Sequence, residues 1–107
     1  RLSKLEPLLK IWHEFDNFYS SYWLNIVSIQ NKSKINIIIS EAKKRHIDLR
    51  RCFYPMHNLP AFKQFSDLNF DYSNSLKIYE HLICLPSGLN LISDQINAVC
   101  DLIEDFI

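Results

Sequence analysis

Apolar side chains change their spacing several times along the chain, and each change predicts an element. From Pro7 onward, Leu8, Ile11, Trp12, Phe15, Phe18, Tyr19 and Tyr22 recur at intervals of three and four. That spacing predicts a leading helix within residues 1–20, with Pro7 well placed at its first helical position. Tyr22 to Ile29 (YWLNIVSI) is rich in β-branched and aromatic residues and predicts a strand covered on both faces, or nearly so. Helical spacing returns at Ile35, Ile38, Ile39 and Ala42. Asn31 or Ser33 can cap that helix, and Lys43, Lys44 and Arg45 suit the negative end of its dipole. Ile47 to Tyr54 alternates as a second strand that Pro55 stops, and residues 56–74, where Asn, Asp, Ser and Pro recur, read as loop. A short helix over Ser75–Leu82 and a short buried strand ending at Pro86 follow, and Ser87 and Gly88 make a turn. The last helix carries Ile96, Val99, Cys100, Ile103, Phe106 and Ile107 on one stripe, with Ser93 as its cap and Asp94 in its first turn.

This order predicts an α+β fold: a small antiparallel or mixed sheet of about three strands covered by helices. At 107 residues the chain suits a single domain, and 48% hydrophobic residues can fill its core. Twelve basic residues balance twelve acidic ones, so neither a nucleic-acid footprint nor attraction to an anionic membrane is expected. The longest apolar runs, such as Ile37-Ile38-Ile39, are too short to span a bilayer. Three scattered cysteines, Cys52, Cys84 and Cys100, argue for reduced thiols in the cytoplasm rather than a disulfide framework. The one methionine is Met56, so residue 1 is not expected to be a translational start.

Most chemistry-bearing residues have ordinary readings. His13 and His81 fall in predicted helices as partly exposed polar positions, and Cys84 and Cys100 lie on apolar faces as small core residues. Cys52 and His57 lack a second pair of ligands for zinc, and Cys52 lacks a positioned base. The stretch from Arg50 to Phe62 (RRCFYPMHNLPAF) is different. Alternation sets Arg50, Cys52 and Tyr54 on one side of the strand and Arg51 and Phe53 on the other. Pro55 then projects Met56, His57 and Asn58 from a stiffened loop. Two readings remain open: a ligand-lining loop in which an arginine grips a phosphate or carboxylate, or a surface loop whose aromatics plug the core.

Ile47 with Arg50, Tyr54-Pro55-Met56-His57, Pro60 with Phe62, Leu85-Pro86, Gly88-Leu89 and the helix from about Ser93 together resemble the C-terminal part of the DegT/DnrJ/StrS family. These are pyridoxal-phosphate-dependent sugar aminotransferases. The resemblance covers residues 21–107 and implies the small domain of a fold-type I aminotransferase, with residues 1–20 set apart as a leading helix. It also implies that His57 faces a nucleotide-sugar, with Arg50 and Tyr54 as neighbours of that pocket. The Schiff-base lysine and the cofactor site belong to a large domain absent from this chain, which is therefore expected to be inactive alone. The complete enzyme is expected to take nitrogen from an amino acid, glutamate, and to work as a homodimer. Three departures from the family pattern stand out: His46 replaces a glycine at a helix end, Arg51 replaces a frequent proline, and Ile92 replaces a capping threonine. A non-catalytic binding module derived from the same fold is the alternative expectation.

Overall fold

The computed structural model describes every residue except His13, Phe15 and Leu68. Four strands form one antiparallel sheet: β1 (Leu9–Ile11), β2 (Asn25–Ile29), β3 (Arg50–Arg51) and β4 (Leu82–Leu85). Their order across the sheet is β1-β2-β4-β3. Three helices join them: α1 (Ile35–Lys44), α2 (Ser73–His81) and α3 (Ser93–Phe106). The α+β architecture read from the sequence is the one observed, with four strands where about three were expected.

The extra strand comes from the segment predicted as a leading helix, and that prediction is corrected here. Residues Leu2–Leu5 make a single 3-10 turn, and β1 follows after the Glu6–Pro7 peptide, which is cis. Among the described residues the three-and-four spacing of the segment has no buried stripe behind it, because Leu8, Trp12, Phe18, Tyr19 and Tyr22 are all exposed. The alternation of Leu9, Lys10 and Ile11 is what the core reads: Leu9 is fully buried, Lys10 exposed and Ile11 half-buried. Pairing Leu9 with Ile29 and Ile11 with Val27 places both apolar side chains over the same interior. His13, read as a helical surface position, lies outside the described residues, as does Phe15.

Register sorts the sheet into two faces. Leu9, Val27, Ile29 and Ile83 point into the core. There they meet Ile35, Ile38 and Ala42 of α1 and Val99, Cys100, Leu102 and Ile103 of α3. The opposite face carries Ile26, Ser28, Leu82 and Cys84, all half-buried, so β2 is fully covered on one side and partly on the other. Polar bonds tie the rim of the helical layer. Arg1 bonds Asn97, Asp101 and Glu104 along α3, and Arg45 at the end of α1 pairs with Asp105 at 2.9 Å.

Helix ends follow the sequence closely, with one exception. Asn31 accepts hydrogen bonds from the backbone N–H and the hydroxyl of Ser33, starting the 3-10 turn that runs into α1. At the other end His46 has φ 58°, the left-handed conformation that the comparison with glycine implied. His46 N–H bonds the Lys43 carbonyl and Ile47 N–H the Ala42 carbonyl, the paired closure of a Schellman turn. The exception is α3. Ser93 is its first helical residue rather than its cap, and Ile92 occupies the cap position. Gln95 reaches back to accept from the Ile92 N–H at 3.1 Å, but an isoleucine side chain has no oxygen to return the bond.

Candidate functional site

The strand that delivers the candidate residues is shorter than its pattern suggested. Only Arg50 and Arg51 join the ladder, opposite Cys84 and Ile83. The partner strand β4 is four residues long and ends at Pro86, so it offers few rungs. Pro55, past the end of β3, has no N–H to donate. Beyond Arg51 the chain leaves the sheet, and buried Pro55 anchors a 3-10 turn over Met56–Asn58. The alternation of Arg50 and Arg51 survives: Arg50 sits on the Cys84 side and Arg51 on the Ile83 side.

His57 is half-buried, neither inside the core nor free in solvent. Its ring stacks on Tyr72, with centroids 4.2 Å apart and planes 16° from parallel. Its backbone carbonyl accepts a hydrogen bond from the Ser66 hydroxyl at 3.1 Å. Tyr54 meets Tyr79 of α2 edge to face at 5.1 Å. Arg50 is exposed and forks onto Asp48, with Nε 2.9 Å and Nη2 2.7 Å from its carboxylate oxygens. That bond holds the Asp48 carboxyl below its ordinary range and raises Arg50 further. Among the described residues no hydrogen bond or ring pairing joins any two of Arg50, Tyr54 and His57. They mark successive points along one segment rather than one closed constellation.

Several participants escaped the sequence reading. Tyr72, at the cap of α2, and Tyr79, in its last turn, pair with His57 and Tyr54. Arg51 donates to the Glu80 carbonyl and to Asn36 Oδ1 at 3.1 and 2.9 Å, and lies 5.8 Å from the centre of the Tyr79 ring. Together with Lys32, which pairs with Glu80, these residues line a recess of about 400 Å³. The Lys32 ammonium holds the Glu80 carboxyl below its ordinary range. A signal existed for Tyr72: Asp71-x-Ser73 is a capping pattern, and Asp71 accepts from the Ser73 N–H at 2.8 Å. A larger open cleft of about 1120 Å³, mostly apolar, lies elsewhere, between the residue 12–22 segment, β2 and the start of α3.

The three cysteines are free thiols, and Cys100 is buried in the core while Cys84 is half-buried. Cys52 and Cys84 lie with Sγ atoms 3.1 Å apart. Burial first, and the hydrogen bond to Cys84 second, push the Cys52 thiol up to about 12, which disfavours the thiolate a nucleophile needs. Among the described residues no cluster of three or more His, Cys, Asp or Glu could hold a metal ion, and no helix is long and apolar enough to cross a membrane.

An antiparallel sheet with helices packed against it and a proline-anchored aromatic loop at its edge is a fold that this chain shares with solved aminotransferases. The profile of the DegT/DnrJ/EryC1/StrS aminotransferase family matches residues 2–104, and the chain belongs to that family. The match begins at residue 2, so the leading segment set apart in the sequence reading lies inside it. GDP-perosamine synthase of Vibrio cholerae is 28% identical over 102 residues, covering 92% of this chain and 27% of the synthase. Among solved structures, a sugar aminotransferase of Streptococcus pneumoniae, Spr1654 in its PMP form, superposes with a TM-score of 0.79 at 22% identity, covering 98% of this chain and 27% of its own. An aminotransferase of the same family from Brucella abortus gives 0.81 at 15% identity, covering 98% of this chain and 28% of its own. The chain therefore spans about a quarter of the length of the relatives it matches.

The family implies pyridoxal phosphate in the full-length enzyme, and the residues present here do not fit it. A Schiff-base lysine must be enclosed beside groups that hold a phosphate. Every lysine in this chain is exposed except half-buried Lys34, whose ammonium donates to the Ile107 carbonyl.

Proposed function

We propose that this chain is the substrate-side part of a pyridoxal-phosphate-dependent aminotransferase that moves an amino group from an amino acid, glutamate, to a nucleotide-linked keto sugar. The cofactor, its lysine and the walls that enclose them belong to a large domain of the complete protein. The complete protein works as a homodimer in the cytoplasm, and this chain alone is inactive. The observation that carries the reading is the half-buried, stacked imidazole of His57 on a proline-anchored loop, in a chain of this family.

Within that reading the residues have separate tasks. His57 donates from its ring edge to a diphosphate or sugar oxygen. Arg50 lies within the same segment and exchanges its Asp48 partner for a phosphate, a low-cost trade because an exposed ion pair contributes little to stability. Tyr54, with its ring held by Tyr79, offers a hydroxyl and an apolar edge to the sugar.

His57→Ala in the complete enzyme should raise the KM for the nucleotide-sugar by about tenfold or more, the loss of one charge-assisted or well-placed hydrogen bond. The KM for the amino donor and the melting temperature should change little. Steady-state kinetics with each substrate varied in turn measures this, and an unchanged nucleotide-sugar KM removes His57 from the site.

A further inference from the structure

The geometry around the loop points to Tyr72 as the residue that positions the His57 imidazole for its ligand. This inference rests on the reading of His57 as a nucleotide-sugar contact and deepens it. Three observations carry it. The two rings are nearly parallel at 4.2 Å, so the imidazole can neither flip out of that plane nor swing toward the core without losing the stack. Tyr72 is itself fixed at both ends. Its hydroxyl accepts the Asp67 N–H at 3.1 Å, and its carbonyl accepts from the Ser75 and Leu76 N–H groups in the first turn of α2. Finally, the His57 backbone is held by Ser66, one residue before Asp67. His57 and Tyr72 are thus pinned at two neighbouring points, Ser66 and Asp67.

The chemical consequence lies in what is left free. A stacked imidazole has its face covered and its two ring nitrogens directed outward in the plane of the ring. Among the described residues neither nitrogen takes part in a hydrogen bond, and Phe70 tilts against the far partner, Tyr72, at 4.8 Å. The Tyr72 hydroxyl oxygen accepts the Asp67 N–H, which ties the ring to the loop rather than to the ligand. The stacked ring removes rotational freedom from His57 before binding, so that ordering cost is not charged to the complex. Tyr72 is accordingly a positioning residue that acts through His57.

Two substitutions separate the ring from the hydroxyl. Tyr72→Phe keeps the stack; Tyr72→Leu removes it. The structural readout is the NMR signal of the His57 ring protons in this chain, with the four histidines distinguished by selective labelling and single substitution. These protons should sit upfield under the Tyr72 ring current, stay there in Tyr72→Phe, and move downfield in Tyr72→Leu. The functional readout is the complete enzyme, where Tyr72→Leu should raise the nucleotide-sugar KM by about tenfold with kcat nearly unchanged, and Tyr72→Phe by about threefold at most. Combined with His57→Ala, Tyr72→Leu should add nothing further, as expected of two residues acting as one unit.

Ring signals that do not move in Tyr72→Leu overturn the positioning role. So does a KM loss from Tyr72→Leu that persists in full on the His57→Ala background, since Tyr72 would then act without His57. If the ring signals move but neither His57→Ala nor Tyr72→Leu alters the nucleotide-sugar KM, the reading of His57 itself has failed and the positioning role falls with it. A KM loss in His57→Ala alone would keep that reading and overturn only the role of Tyr72.

Discussion

His46 shows how one residue can contradict its backbone and still be tolerated. Its φ of 58° places a β-carbon where a following carbonyl crowds it, and glycine avoids that cost. The turn persists because two hydrogen bonds close it and because Ile47, packed against the core, needs the chain to reverse there. His46→Gly should therefore stabilise the protein by about 1 kcal/mol, the strain relieved less the extra entropy glycine brings to the unfolded chain. Urea unfolding would measure it, with the midpoint rising and the m-value unchanged. This departure was legible in the sequence because a left-handed requirement attaches to a position. The stacking of His57 on Tyr72 was not, since fifteen residues separate them and no periodicity links a loop to the helix that follows it.

Elements were legible where one period ran long enough to be unambiguous. α1 and α3 matched their apolar stripes, although in α3 the fully buried Leu102 belongs to the core while Ile96 is half exposed. The leading segment was misread because aromatic residues at helical spacing carry weight only when something packs on them. β1 is three residues long, too short for alternation to outweigh a run of seven helical matches. The end of α3 that deviates from the family pattern offers a direct test. Ile92 stands at the cap with half of a capping box already in place through Gln95. Ile92→Thr supplies the missing oxygen for the Gln95 N–H and should gain about 1 kcal/mol. Thermal unfolding would report a higher midpoint, and an unchanged one would mean that water already satisfies that end as well.

At the scale of the molecule, one interior layer carries the stability and one margin carries the candidate chemistry. Leu102 and Ile38, both fully buried, lie where α3 and α1 meet over the sheet. Leu102→Ala should cost about 3 kcal/mol, because a cavity in a close-packed layer only partly collapses, and chemical denaturation would show it as a lowered midpoint. The same substitution should leave the His57 ring signals in place if the margin is independent of the interior. Outside that layer the surface is unusually aromatic. Trp23 and Phe53 stack at 5.8 Å while each stays about 70% exposed. Tyr19, Phe65 and Phe70 are exposed as well. One of the two readings of the Arg50–Phe62 loop had its rings plugging the core, and Phe53, Tyr54 and Phe62 are instead exposed. That difference arises because the core is already filled by Leu, Ile and Val.

The brevity of the outer strands has a bearing on how such molecules behave when crowded together. One margin of the sheet is a two-residue arginine rung and the other a three-residue rung with Lys10 at its centre. Repulsion between like charges and the scarcity of open backbone donors give an approaching copy almost no ladder to extend. Self-association at high concentration would then proceed through ring-to-ring contact, reversible and sensitive to mild cosolvent, rather than by growth of a continuous fibre.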